Sequence, residues 1–100
     1  MTTESDVART CDEYMARKGA YAVKLSQDIP TRRQLSGLPD RFYLLSGILW
    51  MVEFKRPGGR RRISQAQFAE AVKPYLWSTI RYVVIDDVAV LADALGDGCI

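Results

Sequence analysis

Residues 37–67, GLPDRFYLLSGILWMVEFKRPGGRRRISQAQ, decide the fold of this 100-residue chain. Residues 42–45 and 48–54 are runs of aromatic and aliphatic side chains. The Ser46-Gly47 pair between them reads as the tight turn of a β-hairpin. Side chains alternate along a strand, so Leu49, Met51 and Glu53 face one way, and Trp50, Val52 and Phe54 the other. A strand apolar on both faces is central in its sheet and covered by helices on either side. Its end leaves Glu53 among apolar neighbours, where an unpaired carboxylate is costly, so something positive must compensate. Pro57-Gly58-Gly59 then breaks the strand, and Arg60, Arg61 and Arg62 follow.

Outward from this stretch, the pattern alternates between helix and strand. Downstream, Ser64 reads as the cap of a helix over 65–76 with Phe68, Ala71, Val72, Tyr75 and Leu76 at helical spacing. Pro74 kinks it or ends it early. Residues 81–85 (RYVVI) form a last strand, 88–95 a short closing helix, and Gly96-Asp97-Gly98 a fraying tail. Upstream, Thr3 caps a helix with Glu4 and Asp6 in its first turn, running to Lys18 and stopping at Gly19. Val7, Ala8, Cys11, Met15 and Lys18 share one face of it. Glu4 projects near the middle of that stripe, and Glu13 points away from it. Residues 20–25 (AYAVKL) are a short strand, and 26–36 have loop composition, carrying Arg32 and Arg33. The expected order is αβββαβα, a single α/β domain over residues 1–100 with a mixed four-stranded sheet flanked by helices.

Composition narrows the chemistry. An apolar fraction of 48% and a charged fraction of 26% describe an ordinary globular chain. Net charge is only +2, but its distribution is uneven, with Arg56 and Arg60 to Arg62 around one loop. A local basic patch matters more for phosphate binding than the total. The sequence contains no histidine. That excludes histidine-based nucleophilic catalysis and imidazole-bound zinc, and leaves oxygen ligands suited to Mg²⁺ or Mn²⁺. Cys11 and Cys99 make neither a disulfide framework nor a metal knuckle, and read as reduced thiols of a cytoplasmic protein. The polar, acidic start MTTESDVART is no signal peptide, and no apolar run approaches a membrane span.

Asp40 opens the first hairpin strand and Glu53 ends the second, so antiparallel pairing makes the two carboxylates neighbours. Lys55, two residues on, points to the same side as Glu53. Two close carboxylates raise each other's pKa and are relieved by a divalent cation. The backbone carbonyl of Phe54 offers a further oxygen. Such a site activates water and stabilises charge building on phosphorus, with Lys55 orienting or deprotonating the water or neutralising the phosphate. A Pro-Asp turn or a Glu-Phe-Lys run alone is common in strands. Together, at hairpin spacing and beside an arginine-rich glycine loop, they are far more specific.

These residues resemble the VRR-NUC family, a branch of the PD-(D/E)xK nuclease superfamily with a restriction-endonuclease-like core. The matching segments are Gly37-Leu38-Pro39-Asp40-Arg41, Val52-Glu53-Phe54-Lys55-Arg56-Pro57-Gly58-Gly59, and Ile63-Ser64 with Gln67. Gly19-Ala20 followed by Lys24-Leu25 and the acidic helix start at Glu4 also match. The chain departs from the family where Trp77-Ser78-Thr79-Ile80 lacks the glycine that often precedes the last strand. The resemblance implies that Asp40 and Glu53 bind the metal, that Lys55 is the catalytic lysine and that Gln67 is an active-site residue. It also implies a carboxylate from the first helix, directly or through water. Glu4 matches by its distance to the glycine and by its helix face, with Glu13 as the alternative.

The expected function is that of a Mg²⁺- or Mn²⁺-dependent DNA endonuclease acting on branched DNA, such as a Holliday junction or flap. Arg32, Arg33, Arg41 and Arg56 join Arg60 to Arg62 as candidate phosphate contacts. Small stand-alone relatives are typically encoded by phages or prophages, and the small size of the chain suggests a homodimer in the host cytoplasm. The alternative is a non-catalytic DNA-binding or assembly module on a nuclease fold.

Overall fold

A computed structural model describes residues 2–24, 38–59 and 63–96. Helix α1 spans Glu4–Arg17. Thr3 and Asp6 form a capping box, each side chain accepting the other's backbone N–H, which satisfies two amides that a helix start leaves without partners. Strands β1 (Tyr21–Lys24), β2 (Arg41–Leu45) and β3 (Ile48–Phe54) follow. Helix α2 spans Ile63–Val72 and passes into a 3-10 turn, Lys73–Tyr75. Strand β4 (Ile80–Ile85) and helix α3 (Val88–Ala94) complete the fold. The Asp87 carboxylate accepts the Ala89 N–H at 2.8 Å and so caps α3.

The four strands lie in the order β1-β2-β3-β4. The pairs β1–β2 and β2–β3 are antiparallel, whereas β3–β4 is parallel. The parallel step requires a crossover, which α2 provides. At the β2–β3 turn, Ser46 and Gly47 both take positive φ, 53° and 80°, the combination that matches the twist of paired strands. At the end of β3, Gly59 N–H donates to the Arg56 carbonyl at 2.8 Å, with Pro57 and then Gly58 at φ 78° between them. Proline followed by a positive-φ glycine is the signature of a type II turn.

The two faces of the sheet are covered by different helices. Val7, Cys11 and Met15 of α1 and Leu91 of α3 pack against Trp50, Val52 and Phe54 of β3 and Tyr43 of β2. Burying each such side chain stabilises by about 1.5–3 kcal/mol. On the other face, the ring of Phe68 from α2 meets Tyr82 of β4 edge-on, with centroids 6.0 Å apart. Burial pushes the Cys11 thiol up to about 12, which makes it an inert packing group.

Most element boundaries fall within a residue or two of expectation. Helix α2 is the informative difference. It begins at Ile63, so Ser64 lies within the helix rather than at its cap. The α-helix ends at Val72, and Pro74, which has no N–H to donate, falls inside the 3-10 turn. The missing glycine before β4 is accommodated by a turn in which Trp77 and Ile80 exchange backbone hydrogen bonds at 3.1 and 3.2 Å. No residue of that turn takes a positive φ. Among the described residues, no helix is long and apolar enough to cross a membrane. Arg32, Arg33, Arg60, Arg61, Arg62, Cys99 and the tail from Asp97 lie outside the described residues.

Candidate active site

The β2–β3 register pairs Arg41 with Val52, and the Asp40 N–H donates to the Val52 carbonyl at 3.0 Å. One further step of this pairing sets Asp40 opposite Glu53, on the face toward α2. The Asp40 Oδ2 accepts the Phe54 N–H at 2.8 Å, which ties the carboxylate to the end of β3. Burial raises the Asp40 pKa above the usual carboxylate value, and the negative charge of Glu53 adds to the rise, while the Phe54 N–H opposes it. The two acids therefore sense one another, as close carboxylates must.

Glu53 is fully buried, at 0% exposure. Its Oε1 accepts a hydrogen bond of 2.5 Å from the Tyr82 hydroxyl. Its Oε2 lies 3.9 Å from Lys55 Nζ. Lys55 is itself buried, and its ammonium donates to Gln65 Oε1 at 2.8 Å. Among the described residues, Lys55 is thus a positive group beside Glu53, as the sequence demanded. Asp40 just before β2, Glu53 of β3, Lys55 just after it, Gln65 of α2 and Tyr82 of β4 meet on one face of the sheet. The carboxylates are all-oxygen, hard donors. Mg²⁺ is commonly held by only one or two carboxylates together with substrate phosphates, so this pair is a sufficient protein share for it.

Among solved structures, the chain is similar to one described as "VRR_NUC domain", with a TM-score of 0.68, 22% identity and coverage of 100% of both chains. The fold is that of a VRR_NUC domain. No protein-family model matches the sequence, and no curated protein does. At this identity the likeness establishes the fold alone and leaves the chemistry to the residues themselves.

On this VRR_NUC fold the remaining candidates fall in different places. Gln67 is exposed on α2, and the glutamine that reaches Lys55 is Gln65. Residues two apart on a helix point about 200° apart, so only one of them can face the sheet. The expectation at Gln67 is corrected accordingly. Glu4 is also displaced. It is exposed at the first turn of α1, whose packed side chains cover the Val52 face, opposite to Glu53. Glu13 is exposed as well. Among the described residues, no three histidine, cysteine, aspartate or glutamate side chains gather as a group that could hold a metal ion.

Arg41 is corrected from DNA contact to structural ion pair. It is buried at 4% exposure, and its Nε and Nη2 donate to both oxygens of Asp12 at 3.1 and 3.0 Å. The Tyr43 hydroxyl donates to the same carboxylate. Burial on its own would lower the Arg41 pKa, but the hydrogen bond and charge of Asp12 raise it above its ordinary value. Arg56, in contrast, is exposed and stays available to a phosphate.

Sequence reasoning missed Asp12, Gln65 and Tyr82. Asp12 carried no signal, being one acid among several on an amphipathic helix. Tyr82 did carry one. It carries the hydroxyl of strand β4, beside the apolar run Val83-Val84-Ile85, and buried hydroxyls require partners.

Proposed function

We propose that this protein is a Mg²⁺- or Mn²⁺-dependent deoxyribonuclease that hydrolyses phosphodiester bonds internally in DNA. The observation that carries this reading is the juxtaposition of Asp40 and Glu53 across a hairpin, with Lys55 on the same face, in a chain with a VRR_NUC fold. Asp40 and Glu53 would hold the metal, with the backbone carbonyl of Phe54 as a further oxygen. A divalent ion bound there supplies a lowered pKa for bound water and Lewis-acid stabilisation of the phosphate oxygens.

The rest of the work belongs to the chain. Lys55, held by Gln65, keeps an ammonium where the phosphate gathers negative charge, and it can accept a proton from attacking water once deprotonated. Burial of Lys55 and Glu53 excludes bulk water, which strengthens each interaction. Arg56 grips the backbone of DNA, and Arg32, Arg33 and Arg60 to Arg62 extend that grip by composition. Branched DNA is the preferred substrate in this reading, with a homodimer in the host cytoplasm presenting two sites. A third carboxylate, from Glu4, is not part of it.

One observation favours the alternative of a non-catalytic DNA-binding module, namely the absence of a third acidic ligand among the described residues. Incubation with plasmid and four-way junction DNA, in Mg²⁺, Mn²⁺ or EDTA, separates the two. The nuclease reading expects cleavage that requires the metal and disappears in Asp40→Asn, Glu53→Gln and Lys55→Ala. Junction binding without cleavage under any metal would instead establish the binding module. Sedimentation of the protein with and without junction tests the dimer.

A further inference from the structure

We infer that Tyr82 is a positioning residue for Glu53, setting the plane of that carboxylate for a divalent cation. The inference rests on the reading of Asp40 and Glu53 as metal ligands.

The parallel register pairs Met51 with Tyr82 and Glu53 with Val84. Alternation along both strands places these four side chains on one face of the sheet. A tyrosine at position 82 therefore stands one pleat from Glu53, and its long ring carries the hydroxyl to Glu53 Oε1 at 2.5 Å. Phe68 of α2 meets the ring edge-on at 74° and fixes its tilt. The other residues of β4 on this face, Ile80 and Val84, are apolar. A phenylalanine would serve the packing equally well, so the hydroxyl is the part of Tyr82 that needs a reason.

That reason is the freedom of a carboxylate about its last bond. The Tyr82 hydroxyl engages Oε1, and Lys55 Nζ faces Oε2 at 3.9 Å. With one oxygen fixed on the β4 side, the plane of the group is set, and its second oxygen points along the face toward Lys55. Outer groups that hydrogen-bond a metal-ligating carboxylate set the affinity of the site in this way. Tyr82 touches neither metal nor substrate in this role. It acts through Glu53.

The test is Tyr82→Phe in the full chain, which removes one oxygen and keeps the ring against Phe68. Thermal unfolding followed by circular dichroism checks that the fold is kept, and all comparisons are made where both proteins are folded. Calorimetric titration of the EDTA-treated protein with Mn²⁺, without DNA, is expected to show affinity about 10–100-fold weaker than wild type. The Mn²⁺ concentration for half-maximal plasmid cleavage should rise by the same factor, with the rate recovering at saturating Mn²⁺. Unchanged Mn²⁺ affinity, with cleavage lowered equally at every Mn²⁺ concentration, would overturn the assignment and leave a packing role only. If wild type binds Mn²⁺ and Glu53→Gln does not, but Tyr82→Phe binds like wild type, only the role of Tyr82 is lost. If wild type itself binds no Mn²⁺, the metal reading fails and this inference falls with it.

Discussion

The two faces of the sheet treat buried charge in opposite ways. On the α1 face, Arg41 meets Asp12 through two hydrogen bonds, and Tyr43 completes the group. One cation matches one anion, and the arrangement joins α1 to β2. On the α2 face, the described residues set two carboxylates, Asp40 and Glu53, beside one ammonium, Lys55. Burial raises the Asp40 pKa, and the charge of Glu53 adds to the rise. The first face has charges that satisfy one another and so serve the fold. On the second, among the described residues, two acids lie close enough for the charge of one to raise the pKa of the other. Neighbouring residues at the start of β2, Asp40 and Arg41, thereby serve different ends because the alternation of the chain sends them to different faces.

Substitutions on each face sharpen the contrast. The largest effect is expected from Glu53→Gln, which should lower metal-dependent plasmid cleavage by about a thousand-fold while the circular dichroism spectrum is unchanged. Retained cleavage would remove Glu53 from the site. Next is Asp12→Ala on the opposite face, which strands the buried Arg41 and should cost about 3 kcal/mol of stability, read from urea unfolding. A loss near zero would mean that water reaches Arg41 as readily as Asp12 does. A smaller effect separates the two glutamines of α2. Gln65→Ala should slow cleavage by about ten-fold, a fraction of what a positioned proton-transfer group contributes, and Gln67→Ala should cleave like wild type. The reverse result would turn α2 by half a revolution.

The smallest effect concerns Asp40 and pH. Its folded pKa lies above the ordinary value of 3.8 because of burial and then the charge of Glu53. The folded state therefore holds the proton more tightly than the unfolded chain. This group's contribution to stability is full below 3.8 and is lost as pH rises through the folded value. In EDTA, Asp40→Asn should gain in melting temperature relative to wild type on going from acid to neutral pH. A gap independent of pH would show that Asp40 ionises as freely in the folded protein as in the unfolded one.

Much of this site was legible in the sequence because its central part is local. Asp40 and Glu53 are joined by a single hairpin, and Ser46-Gly47 fixes the register that brings them together. The end of α1 and the break after Phe54 were legible for the same reason, since caps and turns are chemistry among near neighbours. Contacts between distant segments were not. Asp12 and Arg41 are 29 residues apart, as are Glu53 and Tyr82, and no periodicity links such pairs. Gln67 was matched through the family resemblance, while the glutamine that bonds Lys55 is Gln65. The face that α2 turns to the sheet is decided by packing, with Phe68 against Tyr82.

The sequence by itself determined the strand order of the hairpin, the pairing of two carboxylates with a lysine, and the oxygen-only character of any metal site. Backbone alternation, turn chemistry and the absence of histidine suffice for those. Tertiary structure alone decided which helix covers which face. It thereby set Glu4 apart from Glu53, committed Arg41 to Asp12 and brought Gln65 and Tyr82 to the site. The physical reason is that side-chain direction within an element is a local property, whereas the partner it meets depends on how separate elements bury their apolar faces together.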